Sequence, residues 1–110
     1  MGDSKDEHSV ATLTLEIWQP LVGAVFHVKT AEGDEADLEL VQAADQAEQM
    51  HLPDAFRKPF SLLFEAPDEV TWPQGLFTFT HEAIGVQTLF CSAVVHPTDP
   101  GRRAYEVVFA

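Results

Sequence analysis

The chain has 110 residues, with 18 acidic and six basic side chains for a formal net charge of −12, and 45% of its residues are hydrophobic. That length builds one domain with a sizeable core, and the apolar fraction is that of a globular protein rather than a disordered one. The excess of acid argues against binding to nucleic acid or to anionic membranes, since both need Lys and Arg to meet phosphate.

Residues 1–11 read as a flexible polar tail and 12–110 as a single domain. Leu13, Ile17 and Leu21 recur every four residues, Thr12 or Thr14 stands where a helix cap is wanted, and Pro20 would end the helix. Leu13 to Ile17 also alternates, so a strand is the rival reading; a helical turn closing one end of a barrel is favoured. After Gly23 the period is two. Phe26 and Val28 share one face, His27 and Lys29 the other, and beyond a turn at 31–35 Leu38 and Leu40 alternate with Asp37 and Glu39. This is a hairpin pattern. Residues 43–58 break the alternation; 43–50 suit two turns of helix before Pro53, making this the longest connection and the candidate partner-facing loop.

The second half alternates more plainly. Phe60, Leu62 and Phe64 share a face, as do Phe77 and Phe79, and Tyr105, Val107 and Phe109. Gly85 stands in a tight turn that wants positive φ, and residues 96–101, rich in Pro, Asp and Gly, form another. Residues 86–95 are apolar at nearly every position past Thr88, which predicts a centrally placed strand. The expected fold class is all-β with minor α: about six antiparallel strands as a meander forming a small barrel or a tight two-layer sandwich, with a short N-terminal helical turn.

Catalytic motifs are not found. Cys91 lies within the apolar run 89–94, where a thiol behaves as a small buried hydrophobe and its pKa rises. No Gly-x-Ser-x-Gly elbow, P-loop or dinucleotide fingerprint occurs. His8, His27, His51, His81 and His96 show no i, i+2 or i, i+4 pair, so neither a metal nor another cofactor is expected. The acidic turn around Glu32 and Asp34 lacks the ligand spacing of a calcium loop. His81 beside its turn is expected to bond backbone groups, and Trp18 and Trp72 to anchor the sheet ends with each N–H aimed at a carbonyl.

A single cysteine, no run of about 20 apolar residues and no apolar leader after Met1 give the expectation of a cytoplasmic protein without a membrane span. Gly2 invites a myristoylation check, but Asp6 stands where that motif wants Ser or Thr.

The pattern Phe60-Ser61-Leu62-Leu63-Phe64, then Pro73-Gln74-Gly75 with His81 and Gly85, then Tyr105-Glu106-Val107-Val108-Phe109, resembles a small bacterial family of unknown function whose members are often encoded beside microcystin-dependent, phage-tail-collar-like proteins. Pro20-Leu21-Val22-Gly23 with Phe26 extends the resemblance over most of the chain. These are turn glycines and core aromatics, so the resemblance implies no catalytic residue; it implies an accessory role near a tail-like or adhesive assembly. The chain departs from the family in its longer acidic stretch before Phe60.

The functional expectation is a non-catalytic protein-interaction or assembly-accessory module. Its candidate partner surface is acidic: residues 31–54 hold eight acids and no base, and Glu32, Asp34, Glu35, Asp37, Asp45 and Glu48 would face a basic protein partner. The alternative is a small-ligand binder or a hydrolase with a site near His81 and Trp72.

Overall fold

The structure, a computed structural model, describes residues 14–45 and 60–109. Six antiparallel strands close into a barrel: β1 (Val25–Thr30), β2 (Glu35–Asp45), β3 (Phe60–Ala66), β4 (Gly75–His81), β5 (Gly85–Val95) and β6 (Arg103–Phe109). A short helix α1 (Leu15–Trp18) runs into a 3-10 turn (Gln19–Leu21) ahead of them.

The barrel and its antiparallel pairing are as the alternation implies, but the path is not one continuous meander. Around the barrel the order is β1-β2-β3-β6-β5-β4. The chain therefore forms two three-stranded meanders, β1–β3 and β4–β6, joined by residues 67–74. Two seams close them, β1 with β4 and β3 with β6. In each half the middle strand has 11 residues and gives its first part to the preceding strand and its second part to the following one. Such stagger is what closing a small sheet requires.

Alternation decides what the barrel holds. In β1 every second residue is buried, giving Phe26, Val28 and Thr30 inside and His27 and Lys29 outside. Leu38, Leu40, Phe60, Leu62, Phe64, Phe77, Phe79, Leu89, Cys91, Tyr105, Val107 and Phe109 join them there. A bulge at Val41 moves the register from Leu40↔Phe64 to Gln42↔Leu63, so the inward parity of β2 switches from even to odd residues and Ala43 packs on the core. The rings interlock: Phe64 meets Phe26 edge-on at 5.5 Å and Phe79 at 4.8 Å, and Phe60 stacks on Phe109 at 4.5 Å.

Two strands differ from their expected surroundings. The apolar run in β5 alternates, with Gln87, Leu89 and Cys91 buried and Val86, Thr88 and Phe90 exposed, so it is not a doubly buried central strand. Burial on both faces belongs instead to β3, where only Glu65 is less than fully covered. Ala43, Ala44 and Asp45 continue β2, where a helix was expected from residue 43; the rest of that segment, 46–59, lies outside the described residues.

The two ends of the barrel are closed differently. At one, α1 lays Trp18, wholly buried, against Phe26 and Phe109 at 5.9 and 6.1 Å, and Ile84 from the β4–β5 turn packs there too. The expected helical turn over a barrel end is thus present, although Thr14 at its cap makes no side-chain bond. At the other end residues 67–74 cross over, and Val70 and Trp72 pack on the core. Gly33 in the β1–β2 turn and Gly85 at the start of β5 take φ of 100° and 72°, the left-handed region that favours glycine.

Candidate functional site

The acidic residues come together only in part. Glu32 and Asp34 lie in the β1–β2 turn, with Asp34 N–H donating to Thr30 Oγ1 at 3.1 Å. Glu35 and Asp37 project outward from β2, opposite Lys29 and His27 of β1. His27 reaches both carboxylates, Nε2 to Glu35 Oε1 at 2.8 Å and Nδ1 to Asp37 Oδ1 at 3.4 Å. Glu35 and Asp37 therefore have basic neighbours that a count over residues 31–54 does not include, because those neighbours lie across the hairpin. Asp45 is ten residues further along β2, about 33 Å at strand rise, and does not belong to this cluster; Glu48 lies outside the described residues.

His81 and Trp72 are likewise separated. Trp72 precedes β4 and His81 ends it, and seven strand residues, about 20 Å, hold them at opposite ends of the barrel. His81 Nδ1 accepts from Ala83 N–H at 3.0 Å, as a turn-bonding imidazole does, and its ring lies 4.7 Å from that of Phe26. Cys91 is fully buried, and desolvation pushes its thiol up to about 12, far from a nucleophile's range.

The crossing end contains features that the sequence did not single out together. Tyr105 donates its hydroxyl to the Trp72 carbonyl at 2.9 Å and meets Phe77 edge-on at 5.3 Å, while Trp72 meets the same Phe77 at 5.3 Å. Burial of the Tyr105 phenol raises its pKa, and the nearby Arg103 charge offsets only part of the rise. Outside this aromatic group is a cavity of about 230 Å³ lined by Thr71, Trp72, Ala93, Arg102, Arg103 and Tyr105 among others. Beside it, Glu65 takes Arg102 Nη2 at 3.2 Å and His96 Nε2 at 2.6 Å. His96 Nδ1 accepts from the N–H groups of Thr98 and Asp99 at 3.2 and 3.1 Å, so its proton is on Nε2 and both ring nitrogens are engaged.

A second feature is apolar. Leu76 of β4 and Phe90 of β5 are paired side by side on the outside of the barrel, 56% and 54% exposed. Val86 of β5 and Val108 of β6 are also exposed. Strands β4, β5 and β6 contain a single acid, Glu106, where β2 alone contains four. Outward parity for Leu76 follows from inward Phe77 and Phe79; for Phe90 the unbroken apolar run conceals it.

Among the described residues no three His, Cys, Asp or Glu side chains are grouped to hold a metal, and no helix is long and apolar enough to cross a membrane. A family model described as a domain of unknown function, DUF6916, matches residues 13–109. No curated protein and no solved structure matches the chain.

Proposed function

Because the chain belongs to this family, DUF6916, a domain of unknown function, its role has to be read from its own surfaces, and we propose that it is a non-catalytic protein-interaction module serving as an accessory in a larger assembly. The observation that carries this reading is the exposed Leu76–Phe90 pair on a wall with one acid, in a chain of net charge −12. Inward side chains fill the barrel, so apolar contact with another molecule falls to its outer wall, and aromatic anchors flanked by small polar residues are what such contacts use. Thr78 and Thr88, joined through their hydroxyls at 3.1 Å, are the polar neighbours here. The acidic cluster of Glu32, Asp34, Glu35 and Asp37 supports steering of a basic partner toward this wall, because exposed charges act mainly on association rate.

A photo-crosslinking residue in place of Thr88, expressed in the native host, identifies the partner. Purified, that partner should bind Phe90→Asp at least tenfold more weakly than the parent, with the variant's melting temperature unchanged. Neutralising Asp34, Glu35 and Asp37 together should slow association and flatten its salt dependence. Equal affinity for Phe90→Asp and parent defeats the outer-wall reading. Unchanged rate and salt dependence in the triple variant means that the acidic cluster only faces water.

A further inference from the structure

We propose that the cavity at the crossing end, between Trp72, Tyr105 and Arg103, is a binding site for a carboxylate carried beside an aromatic ring. The site shares no residue with the outer-wall pair Leu76 and Phe90, and it stands or falls separately from the interaction reading.

The first argument is an inversion of charge. The chain has three acids for every base, yet this cavity is lined by two arginines and no acid. Arg102 is already committed to Glu65. Arg103 makes no ion pair or side-chain hydrogen bond among the described residues, although its backbone is fixed between two neighbours, opposite Ala66 of β3 and Val95 of β5. Its side chain is exposed at the cavity and has no anion among the described residues, and a guanidinium fork matches a carboxylate with two parallel hydrogen bonds.

The walls select what the carboxylate is attached to. The Tyr105 hydroxyl is occupied by the Trp72 carbonyl and its ring is buried behind the cavity, so Tyr105 offers no donor and the exposed part of the wall is Trp72. Trp72 is half-buried, held edge-on by Phe77, and its ring centroid stands 6.3 Å from that of Tyr105. The half-buried Trp72 ring, fixed from behind by Phe77 and Tyr105, favours a ligand ring through edge and offset contacts. The volume, about 230 Å³, is below the ~300–1,000 Å³ of sites for larger ligands, which limits the occupant to one ring with its acid. A phosphate fits less well: it brings up to two charges to a single free arginine, on a protein whose overall field repels anions.

The carboxylate can come from a free small acid or from the chain end of a polypeptide, and the test separates them. The full ¹⁵N-labelled chain is titrated with N-acetylphenylalanine, with its amide, and with a pentapeptide ending in free phenylalanine. The two indole N–H signals are followed, Trp72→Phe assigning them. The acid should move the Trp72 signal saturably and leave that of Trp18, at the opposite end, in place. The amide should bind at least tenfold more weakly. Arg103→Gln should weaken the acid at least tenfold without lowering the melting temperature, while Lys29→Gln, which removes equal charge from a strand on the opposite wall, should leave affinity unchanged. Tighter binding of the pentapeptide than of the acid assigns the site to a polypeptide end; equal or weaker binding assigns it to a small acid. Equal affinities for acid and amide, an unchanged Arg103→Gln, or no saturable movement of Trp72 overturns the proposal, and the acid–amide comparison needs no variant to fold.

Discussion

His96 and Glu65 stand 31 residues apart in sequence and meet at 2.6 Å, Nε2 to Oε2, tying the β5–β6 turn to the outside of β3. The imidazole does three things at once: it donates to the carboxylate and accepts from two turn N–H groups. His96→Ala removes all three, leaving the Thr98 and Asp99 amides without their acceptor. We expect a loss of about 2–3 kcal/mol in urea unfolding. Glu65→Gln keeps an acceptor for His96 and gives up only the charge pairing with half-exposed Arg102, so its cost should stay below about 1 kcal/mol. Equal losses in the two variants would show that the carboxylate charge, not the imidazole, organises this turn.

The core offers a larger effect. Phe64 is fully buried and touches rings from β1 and β4 across the interior. Phe64→Ala should cost about 3–5 kcal/mol, much of the stability of a domain this size, and lower the melting temperature accordingly. A variant melting with the parent would refute this account of the core.

Trp18 gives a contrast within one position. Its ring is wholly buried but Nε1 has no hydrogen-bond partner among the described residues, contrary to the expectation that it would point at a carbonyl. Trp18→Phe deletes that unpaired donor along with some apolar area, and the two effects oppose each other, so the net change should be within about 1 kcal/mol. Trp18→Ala uncovers Phe26 and Phe109 and should cost about 3–5 kcal/mol. Similar losses in both variants would mean that the indole nitrogen is satisfied in solution.

Cys91 predicts a pH dependence. Burial disfavours the thiolate and pushes the thiol from an ordinary 9.0 up to about 12 in the folded chain. Between those values the unfolded state loses a proton that the native state keeps, so stability present below pH 9 declines as pH rises toward 12. The contribution is one proton, about 1.4 kcal/mol per pH unit. Urea midpoints measured across this window should fall less steeply in Cys91→Ala than in the parent, and native Cys91 should resist thiol reagents until denaturant is added. Rapid labelling of the folded protein at neutral pH would contradict its burial.

The strands were legible because parity is local. Phe26, Phe64 and Phe79 declare their face through immediate neighbours, and Gly33 and Gly85 mark turns that only their φ could make. The seams were not legible: nothing in β1 names β4 as its neighbour, since that choice depends on residues 67–74 crossing the barrel end. The bulge at Val41 also escaped, and with it the change of parity that keeps β2 a strand through Asp45. The candidate site fared less well for the same reason. Lys29 and His27 face Glu35 and Asp37 only once the hairpin has formed, and Trp72 joins Arg103 and Tyr105 only after the crossover has been made.

The order β1-β2-β3-β6-β5-β4 has a consequence for how the chain folds. Within each half, neighbouring strands follow one another in sequence, and the pairing of β4 with β5 needs only the closure of a tight turn. The seams are remote, joining Val28 to Phe79 and Phe64 to Tyr105. Their chain entropy must be overcome before any contact rewards it, so barrel closure should be the slow step, with the two meanders forming ahead of it. The same seams would close equally well between halves of two chains. Residues 67–74 decide against exchange by holding the second half close to the first, at an effective concentration of order millimolar for so short a tether. Shortening that segment until it can no longer cross the barrel end should therefore populate exchanged dimers at high protein concentration.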